Sequence, residues 1–367
     1  MDVMRHAVMR TTLLLMVLSL ILFGGVATTQ DDDSPRFCES LIAFVAQGEP
    51  YSGFFLIDPN TGEIRQIMEE YETGLIELTV VEWSSDGSQL LVNAFNADDP
   101  VTLPVGYIYD LATESVTPVT PLGNTFIKWS YDDKFIAGQV APTLLDGFSQ
   151  INITALDRDD DPPHITIDHG VGFGWVANSL TLYYVNTTES VIQSIDLSVP
   201  NPEPIHVLDV RESIRQVIPS PDGEILVMFD QQDGLLTYDV NTMTSSPVQA
   251  MRPFAFIRWL SDSQNYVYAD INGDISLVGR YGRQVQSLNN GFFGGDGVIS
   301  TDPVKWVELS PQETHLLFRT FGVDTGDALY IMPLRSDVVP EEITQLIQVE
   351  DGWIDSAAWS PCLDTED

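Results

Sequence analysis

The segment that decides the fold is Val81-Glu82-Trp83-Ser84-Ser85-Asp86-Gly87-Ser88-Gln89-Leu90-Leu91-Val92. A tryptophan precedes a Ser-Asp-Gly turn, and an apolar run follows the turn. Asp bonds to its own backbone and Gly accepts positive φ, so the residues between Trp83 and Leu90 favour a tight turn. The apolar run after it is rich in residues that favour strands. The segment therefore predicts a strand, a tight turn and a second strand.

Versions of this segment recur along the chain at intervals of 40 to 50 residues. We call the residues equivalent to the tryptophan the marker positions. They are Trp83, Trp129, Trp175, Pro219, Trp259, Leu309 and Trp359. After each full copy come further apolar runs split by a turn, for example 107–110 and 114–119, which gives four short strands per unit.

Four strands repeated at this spacing are typical of propeller blades, and no stretch shows sustained helical periodicity. The sequence therefore predicts an all-β fold that consists of a single seven-bladed β-propeller. Six or eight blades are the alternatives to this count.

Each end of the chain carries half a unit. Residues 359–362 have a marker without its following strand, and residues 38–44 have a strand without its marker. We therefore expect the N- and C-terminal strands to share one blade, which closes the ring and removes a free sheet edge.

The only two cysteines lie in these two halves. Aligning Leu41 with Leu90 places Cys38 at the position of Gly87, and the C-terminal half places Cys362 at the position of Asp86. We predict a structural disulfide between Cys38 and Cys362, which an exported protein would permit. Two unpaired buried thiols are the alternative.

Residues 1–27 have the three parts of a secretory signal peptide: a basic start with Arg5 and Arg10, the apolar run 13–23, and small residues at 25–27. We predict cleavage after Ala27, an acidic linker at 28–36 and the propeller at 37–367. An uncleaved membrane anchor is the alternative, although the apolar run is shorter than the ~20 residues of a spanning helix. The protein is then secreted or periplasmic, a monomer, and without a membrane span after cleavage.

The chain is strongly acidic, with a formal net charge of −38. Such a charge repels nucleic acid and anionic membranes and favours cations or basic partners. The acids are spread along the chain, which is also the pattern of a solubilising surface. We therefore expect no nucleic-acid partner.

The motifs Trp83–Gly87 and Ser220–Gly223 resemble the W-S-P-D-G repeat of the TolB-like, or PD40, group of WD40-like propellers. The resemblance covers nearly all of the chain after the signal and implies a propeller fold. It does not imply one function, because the repeat occurs in periplasmic interaction modules and in propellers attached to prolyl-oligopeptidase-type peptidases. This chain departs from TolB in its count of seven rather than six blades, in lacking an N-terminal α/β domain, and in having Pro219 and Leu309 at marker positions. The partners of TolB are therefore not carried over.

No pattern in the chain predicts catalytic residues or a resident metal. Neither a G-x-S-x-G nucleophile motif nor H-E-x-x-H occurs, and the four histidines beyond the signal lack zinc-site spacing. The segment 270–276 alternates oxygen donors like the start of a Ca²⁺ loop, but Asn272-Gly273 within it predicts a β-hairpin. We expect no cofactor and leave open weak Ca²⁺ binding.

In propellers with this repeat, the loops after the second strand of a blade and those leading into the next blade share one face, which we call the loop face. The long loops there are predicted at 96–106, 141–149, 320–327 and 289–305. Long loops are often binding elements. The predicted binding residues on this face are Phe292, Phe293, Asp296, Trp353, Asp324, Asp98 and Asp146. They suit a basic protein, a peptide or a glycan; the alternative is a flexible insertion with both phenylalanines tucked beneath it.

These observations favour an exported, non-enzymatic β-propeller that acts as a binding or scaffolding module in the periplasm or outside the cell. The alternative is a propeller hydrolase, lactonase-like or glycan-processing, with a cation in the central channel. Such a site needs convergent acids, Asn or His at blade-inner positions, and no repeated set of them is evident. A third possibility is a domain that serves a neighbouring membrane or cell-wall complex.

Overall fold

The computed structural model describes residues 37–362 except 70–73, 97–103, 124–125, 141–148, 157–163, 212, 231–233, 249–253, 271–272, 284, 290–291, 294–303 and 323–325. The predicted signal peptide and acidic linker lie outside the described residues. The described part contains β-strands and one 3-10 helix, Pro340–Glu342. None of its helices has the length and hydropathy to cross a membrane.

Five blades are separate four-stranded antiparallel sheets, each in sequential order or its reverse. Blade 2 has β4 (Leu75–Trp83), β5 (Gln89–Asn96), β6 (Val105–Asp110) and β7 (Ser115–Gly123). Blade 3 has β8 (Phe126–Trp129), β9 (Phe135–Val140), β10 (Gln150–Ala155) and β11 (His164–Asp168). Blade 4 has β12 (Gly170–Trp175), β13 (Thr181–Asn186), β14 (Val191–Asp196) and β15 (Ile205–Asp209). Blade 5 has β16 (Ile214–Pro219), β17 (Ile225–Asp230), β18 (Gly234–Asp239) and β19 (Thr244–Pro247), and blade 6 has β20 (Phe254–Trp259), β21 (Asn265–Asp270), β22 (Ile275–Gly279) and β23 (Val285–Ser287).

The remaining sheet joins two blades through one long strand. It contains β24 (Val304–Leu309), β25 (His315–Gly322), β26 (Gly326–Pro333), β27 (Thr344–Trp359), β1 (Ile42–Glu49), β2 (Ser52–Ile57) and β3 (Ile64–Met68), in that order. The first half of β27 pairs with β26 as the outer strand of blade 7, and its second half pairs with β1 as the inner strand of blade 1. The fold is therefore all-β, with seven blades, and the two ends of the chain share blade 1 as predicted.

Seven clusters of buried hydrophobic side chains lie between these blades, one at each interface. The second strands serve two interfaces at once, because successive side chains of a strand point to opposite faces. Leu90 and Val92 face blade 1, whereas Leu91 between them faces blade 3. This explains why these strands are continuously apolar instead of alternating with polar residues.

Ring closure agrees with the predicted disulfide and corrects its alignment. Ile42 pairs with Trp359 as Leu90 pairs with Trp83, so the equivalent of Leu90 is Ile42 and not Leu41. A disulfide joins Cys38 and Cys362, with their Cα atoms 5.5 Å apart. The corrected register places both cysteines at the position of Asp86, one from each half of the composite turn.

The marker turns are held by a short hydrogen-bond network. The Ser84 hydroxyl donates to Asp86 over 2.8 Å and accepts the backbone N–H of Gln89 over 2.9 Å. Bonds from the backbone and hydroxyl of Ser88, and from Ser84, lower the pKa of Asp86. Gly87 has a φ of +70°, which a Cβ would strain.

Where another residue replaces Gly at this left-handed position, its side chain bonds to the turn of the preceding blade. Asp133 accepts the N–H of Ser85 over 2.7 Å, Glu313 accepts that of Ser261 over 2.6 Å, and Ser263 accepts that of Asp222 over 3.1 Å. Their φ values are +56°, +53° and +56°. These bonds offset the backbone strain and fasten neighbouring blades together.

Arg280 fastens blades 5 and 6 in a second way. Its side chain is 8% exposed and donates to Asp222 over 2.5 Å and to Glu224 over 2.6 Å. It also donates to the Ser263 carbonyl over 2.8 Å. The guanidinium thus connects the marker turns of two blades.

We expect the double change Cys38→Ser and Cys362→Ser to lower the melting temperature markedly, because it frees a loop of 324 residues in the unfolded chain. In the chain-entropy model the disulfide contributes about 5 kcal/mol. Thermal unfolding of both proteins with and without reductant measures this. Reductant should lower the melting temperature of the wild type and leave the double variant unchanged; equal melting temperatures without reductant would contradict the closure role.

Arg280→Met should destabilise the protein by roughly 1–3 kcal/mol. It removes the donor to Asp222, Glu224 and the Ser263 carbonyl, and with it a contact between blades 5 and 6. The measurement is the shift in thermal unfolding. Arg335→Met is the matched control, since Arg335 pairs with Asp337 and Glu342 on the surface and should melt near the wild type. Equal shifts in melting temperature for the two variants would contradict the role of Arg280 in joining blades 5 and 6.

Candidate functional site

The innermost strands of the blades enclose a central channel with a cavity of about 720 Å³. Each of these strands begins at the loop face and ends at its marker turn, so we call the opposite side of the disc the turn face. Residues before a marker therefore lie progressively closer to the loop face. This geometry stacks the lining residues in layers along the channel.

The layer one residue before the markers carries four charges, and we call it the charged ring. It consists, in blade order from blade 2, of Glu82, Lys128, Gly174, Ile218, Arg258, Glu308 and Ala358. The two cationic residues flank the uncharged pair of blades 4 and 5, and the two acids flank Ala358 of blade 1. Asp355 of β27 also lines the cavity. The channel thus has a cationic side and an anionic side.

Arg258 and Glu308 form an ion pair across blades 6 and 7, with Nε and Oε2 3.1 Å apart. A guanidinium nitrogen of Arg258 also donates to the Ile257 carbonyl over 3.1 Å. The guanidinium lies 5.2 Å from the ring centroid of Phe256, within cation–π range. These contacts fix the arginine against the channel wall.

Glu82 and Lys128 lie on the opposite side of the ring. The Glu82 carboxylate accepts the backbone N–H of Trp129 in a short hydrogen bond. Burial raises the pKa of Glu82, against the opposing effects of Lys128 and of the Trp129 bond. Burial also lowers the pKa of Lys128, and Glu82 opposes that shift. Both side chains are therefore pushed toward their neutral forms by the surrounding protein.

An aromatic layer lies next to the charged ring on the loop-face side. Phe126, Phe256 and Trp306 each stand three residues before a marker. Phe126 packs edge-on against Phe173 at 5.0 Å, and Phe256 against Trp306 at 6.2 Å. The channel therefore combines charged groups with apolar rings, as small-molecule sites do.

Marker tryptophans connect neighbouring blades through their indole N–H groups. The indole N–H of Trp83 donates to the Ala358 carbonyl over 2.9 Å, and that of Trp259 to the Ile218 carbonyl over 3.4 Å. Among the described residues, the indole N–H groups of Trp129 and Trp175 have no hydrogen-bond partner. The indole bond to the neighbouring blade is thus not made by the markers of blades 3 and 4.

Two large hydrophobic side chains are exposed at the loop-face ends of blades 1 and 7. Trp353, on β27, is 47% exposed, and Phe321, near the end of β25, is 43% exposed. Glu350 and Asp351 are exposed just before Trp353. The predicted loop at 320–327 is shorter than expected, because β25 continues to Gly322 and β26 begins at Gly326.

The structure places the two predicted phenylalanines in the interface between blades 6 and 7. Phe293 is 3% exposed and packs against Phe318 at 4.9 Å and Tyr330 at 5.2 Å. Phe292 is partly buried against the same cluster. Their rings are tucked into the core, as the alternative interpretation of that loop expected. The predicted residues Asp98, Asp146, Asp296 and Asp324 lie outside the described residues.

No group of three His, Cys, Asp or Glu side chains within the described part of the chain is arranged to hold a metal ion. In the segment resembling a Ca²⁺ loop, β21 and β22 pair as a hairpin. The Asp270 carboxylate accepts the N–H of Asp274 over 3.0 Å and so is used by the turn itself.

Sequence analysis missed the charged ring, although its signal was present. A comparison of the residues directly before the markers gives Glu82, Lys128, Arg258 and Glu308. A repeated set of acids or histidines does not include them, because the charges are of both signs and are absent from three blades.

No protein-family model matches the sequence, and no curated protein matches it. Solved structures do match the fold. A putative 6-phosphogluconolactonase from Bacteroides uniformis has a TM-score of 0.57 and 11% identity, covering 88% of this chain and 99% of that one. The β-propeller domain of Cps50 (Swd1) from Myceliophteria thermophila has a TM-score of 0.53 and 13% identity, covering 77% and 92%. TolB from Acinetobacter baumannii has a TM-score of 0.50 and 15% identity, covering 89% and 68%.

These proteins differ in function, and their identities to this chain are low. The likeness therefore shows the fold: the chain is a β-propeller similar to those of TolB and WD40 proteins.

Proposed function

We propose that this protein is an exported, non-enzymatic binding module that engages a basic protein or peptide segment at its loop face. The observation that carries the proposal is Trp353, a large exposed aromatic side chain on a rigid strand, with acidic residues beside it. Tryptophan is among the side chains that most often dominate the free energy of binding at interfaces.

The backbone around Trp353 is held on two sides. Trp353 pairs with Gln47 of β1, and the next residue, Ile354, donates its N–H to Asp327 over 3.0 Å. A Cβ on Gly352 would lie 2.0 Å from the Gln47 carbonyl oxygen, so the two strands approach closely here. A side chain presented from such a fixed backbone loses little conformational entropy on binding.

The charge beside Trp353 favours a basic partner. Glu350 pairs across the sheet with Glu49, and Asp351 follows it, all three exposed. An Arg or Lys side chain placed here would be attracted by the acids and could stack on the indole ring. A glycan would use the ring but would leave the charges unpaired.

Export is supported by the disulfide, because such bonds persist in oxidising compartments. The signal-peptide pattern at residues 1–27 agrees with it. We propose a monomeric protein of the periplasm or cell exterior.

The hydrolase with a central cation has less support. Lys128 and Arg258 line the charged ring, which is where that cation would bind. Arg258 also forms an ion pair with Glu308, so this carboxylate already has a cationic partner. Two basic groups beside a cation raise its binding free energy by repulsion. The donor set of the channel therefore fits a metal ion poorly.

We expect elemental analysis of the purified protein to find no stoichiometric metal that survives gel filtration. A tightly bound ion at one equivalent, lost in the variant Glu308→Gln, would instead support the hydrolase.

Trp353→Ala should weaken binding of a basic peptide at least about tenfold, as expected for loss of an interface aromatic. The probe is a set of peptides selected from a random displayed library against the wild type, measured by fluorescence anisotropy. Selected sequences should be rich in Arg and Lys. Tyr131→Ala, which removes an aromatic 44% exposed after the marker of blade 3, is the control and should bind like the wild type. Selection of neutral or acidic peptides, or unchanged binding by Trp353→Ala, would contradict the proposal.

A further inference from the structure

The charged ring connects neighbouring blades through the Arg258–Glu308 pair and the bond from Trp129 to Glu82, but its charged side chains also line the channel. The chain has 16 Lys and Arg residues against 54 acids, yet Lys128 and Arg258 both line this cavity. Removing charged side chains from water is costly unless something compensates it. The same layer contains Ile218 and Ala358, so apolar residues fit this position. Packing alone therefore does not account for the charges.

The charges are arranged by sign. Going around the ring, Lys128 and Arg258 are separated by the uncharged residues of blades 4 and 5, and Glu308 and Glu82 by Ala358. Charges of the ring shift one another's pKa values. Besides burial, Glu82 raises the pKa of Lys128 and Lys128 lowers the pKa of Glu82. The like charges act in the other direction, since Arg258 lowers the pKa of Lys128 and Glu308 raises the pKa of Glu82. Each side of the channel thus holds two like charges, and each of these charges has one opposite neighbour in the ring.

We propose that the channel binds a small zwitterion, such as an amino acid, with its carboxylate toward Lys128 and Arg258 and its ammonium group toward Glu82 and Glu308. A simple anion would satisfy one side and be repelled by the other, and a simple cation would do the reverse. A zwitterion pairs with both sides without changing the net charge of the cavity. The site is separate from the loop face and does not depend on the partner proposed there.

The size and lining of the cavity agree with such a ligand. A volume of about 720 Å³ lies within the range of small-molecule sites, roughly 300–1,000 Å³. The aromatic layer of Phe126, Phe256 and Trp306 offers apolar surface next to the charged ring. The ligand therefore has an apolar or aromatic body as well as two opposite charges.

Isothermal titration of the purified protein with L-phenylalanine and L-leucine tests the proposal. At least one should bind saturably with one site per chain. The controls are 3-phenylpropionate, which lacks the ammonium group, and phenethylamine, which lacks the carboxylate. Each should bind at least about tenfold more weakly than L-phenylalanine, the loss expected for one charge-assisted contact. Absence of saturable binding by both amino acids, or equal binding of either control, would overturn it.

Two variants assign the two sides of the site. Lys128→Met should bind L-phenylalanine and 3-phenylpropionate more weakly than the wild type does, and its affinity for phenethylamine should be unchanged. Glu82→Gln retains an acceptor for the Trp129 N–H. It should bind L-phenylalanine and phenethylamine more weakly than the wild type does, and its affinity for 3-phenylpropionate should be unchanged. Melting curves check folding, and Glu82→Gln alone decides the matter if Lys128→Met does not fold.

Lys134→Met is the matched control, because Lys134 is 58% exposed and lies in a marker turn outside the channel lining. It should bind L-phenylalanine like the wild type. Trp353→Ala should also keep this binding, so failure of the loop-face proposal and failure of the channel proposal are distinguishable. Wild-type affinity in both Lys128→Met and Glu82→Gln would overturn the channel site.

Discussion

The ring depends on one strand that belongs to two blades. β27 completes blade 7 with its first half and begins blade 1 with its second half, so no sheet edge is left where the chain ends meet. The Leu41 N–H donates to the Ser360 hydroxyl oxygen over 2.8 Å, which reproduces across the chain ends the bond that Ser84 makes within one turn. The Cys38–Cys362 disulfide then prevents the two ends from separating. Closure thus comes from the repeat itself and is made permanent by a covalent bond.

The other blade junctions use a position that the turn leaves strained. A residue with positive φ stands four positions after the marker in the well-formed turns, and Gly adopts this conformation at the least cost. Asp133, Ser263 and Glu313 occupy it instead, and each bonds back to the preceding blade. The local strain is balanced by a contact between neighbours. Departures from the repeat are therefore part of what holds the ring together.

The repeat predicted the fold because every copy obeys the same local rules. Turn chemistry, strand length and the half-units at the chain ends gave seven blades, the shared blade and the disulfide. The one-residue error at Leu41 arose because an apolar strand buried on both faces carries no alternation to fix its register. Phe293 was harder to interpret, since exposed and buried loop aromatics look alike in sequence. To predict the charged ring, one must compare residues at the same position before each marker, although their side chains differ in chemistry.

Charge placement links the channel to the acidic surface. In a chain with a net charge of −38, a basic residue is most favourable at the surface, where it reduces the repulsion between acids. Lys128 and Arg258 are instead half-buried in the channel, next to Glu82 and Glu308. Grouping like charges on opposite sides of one channel suits the proposed ligand, which carries both charges. At the proposed loop-face site the acids remain in water, where they would attract a basic partner and would not enclose it. One rigid ring can in this way present two sites of different chemistry without either disturbing the other.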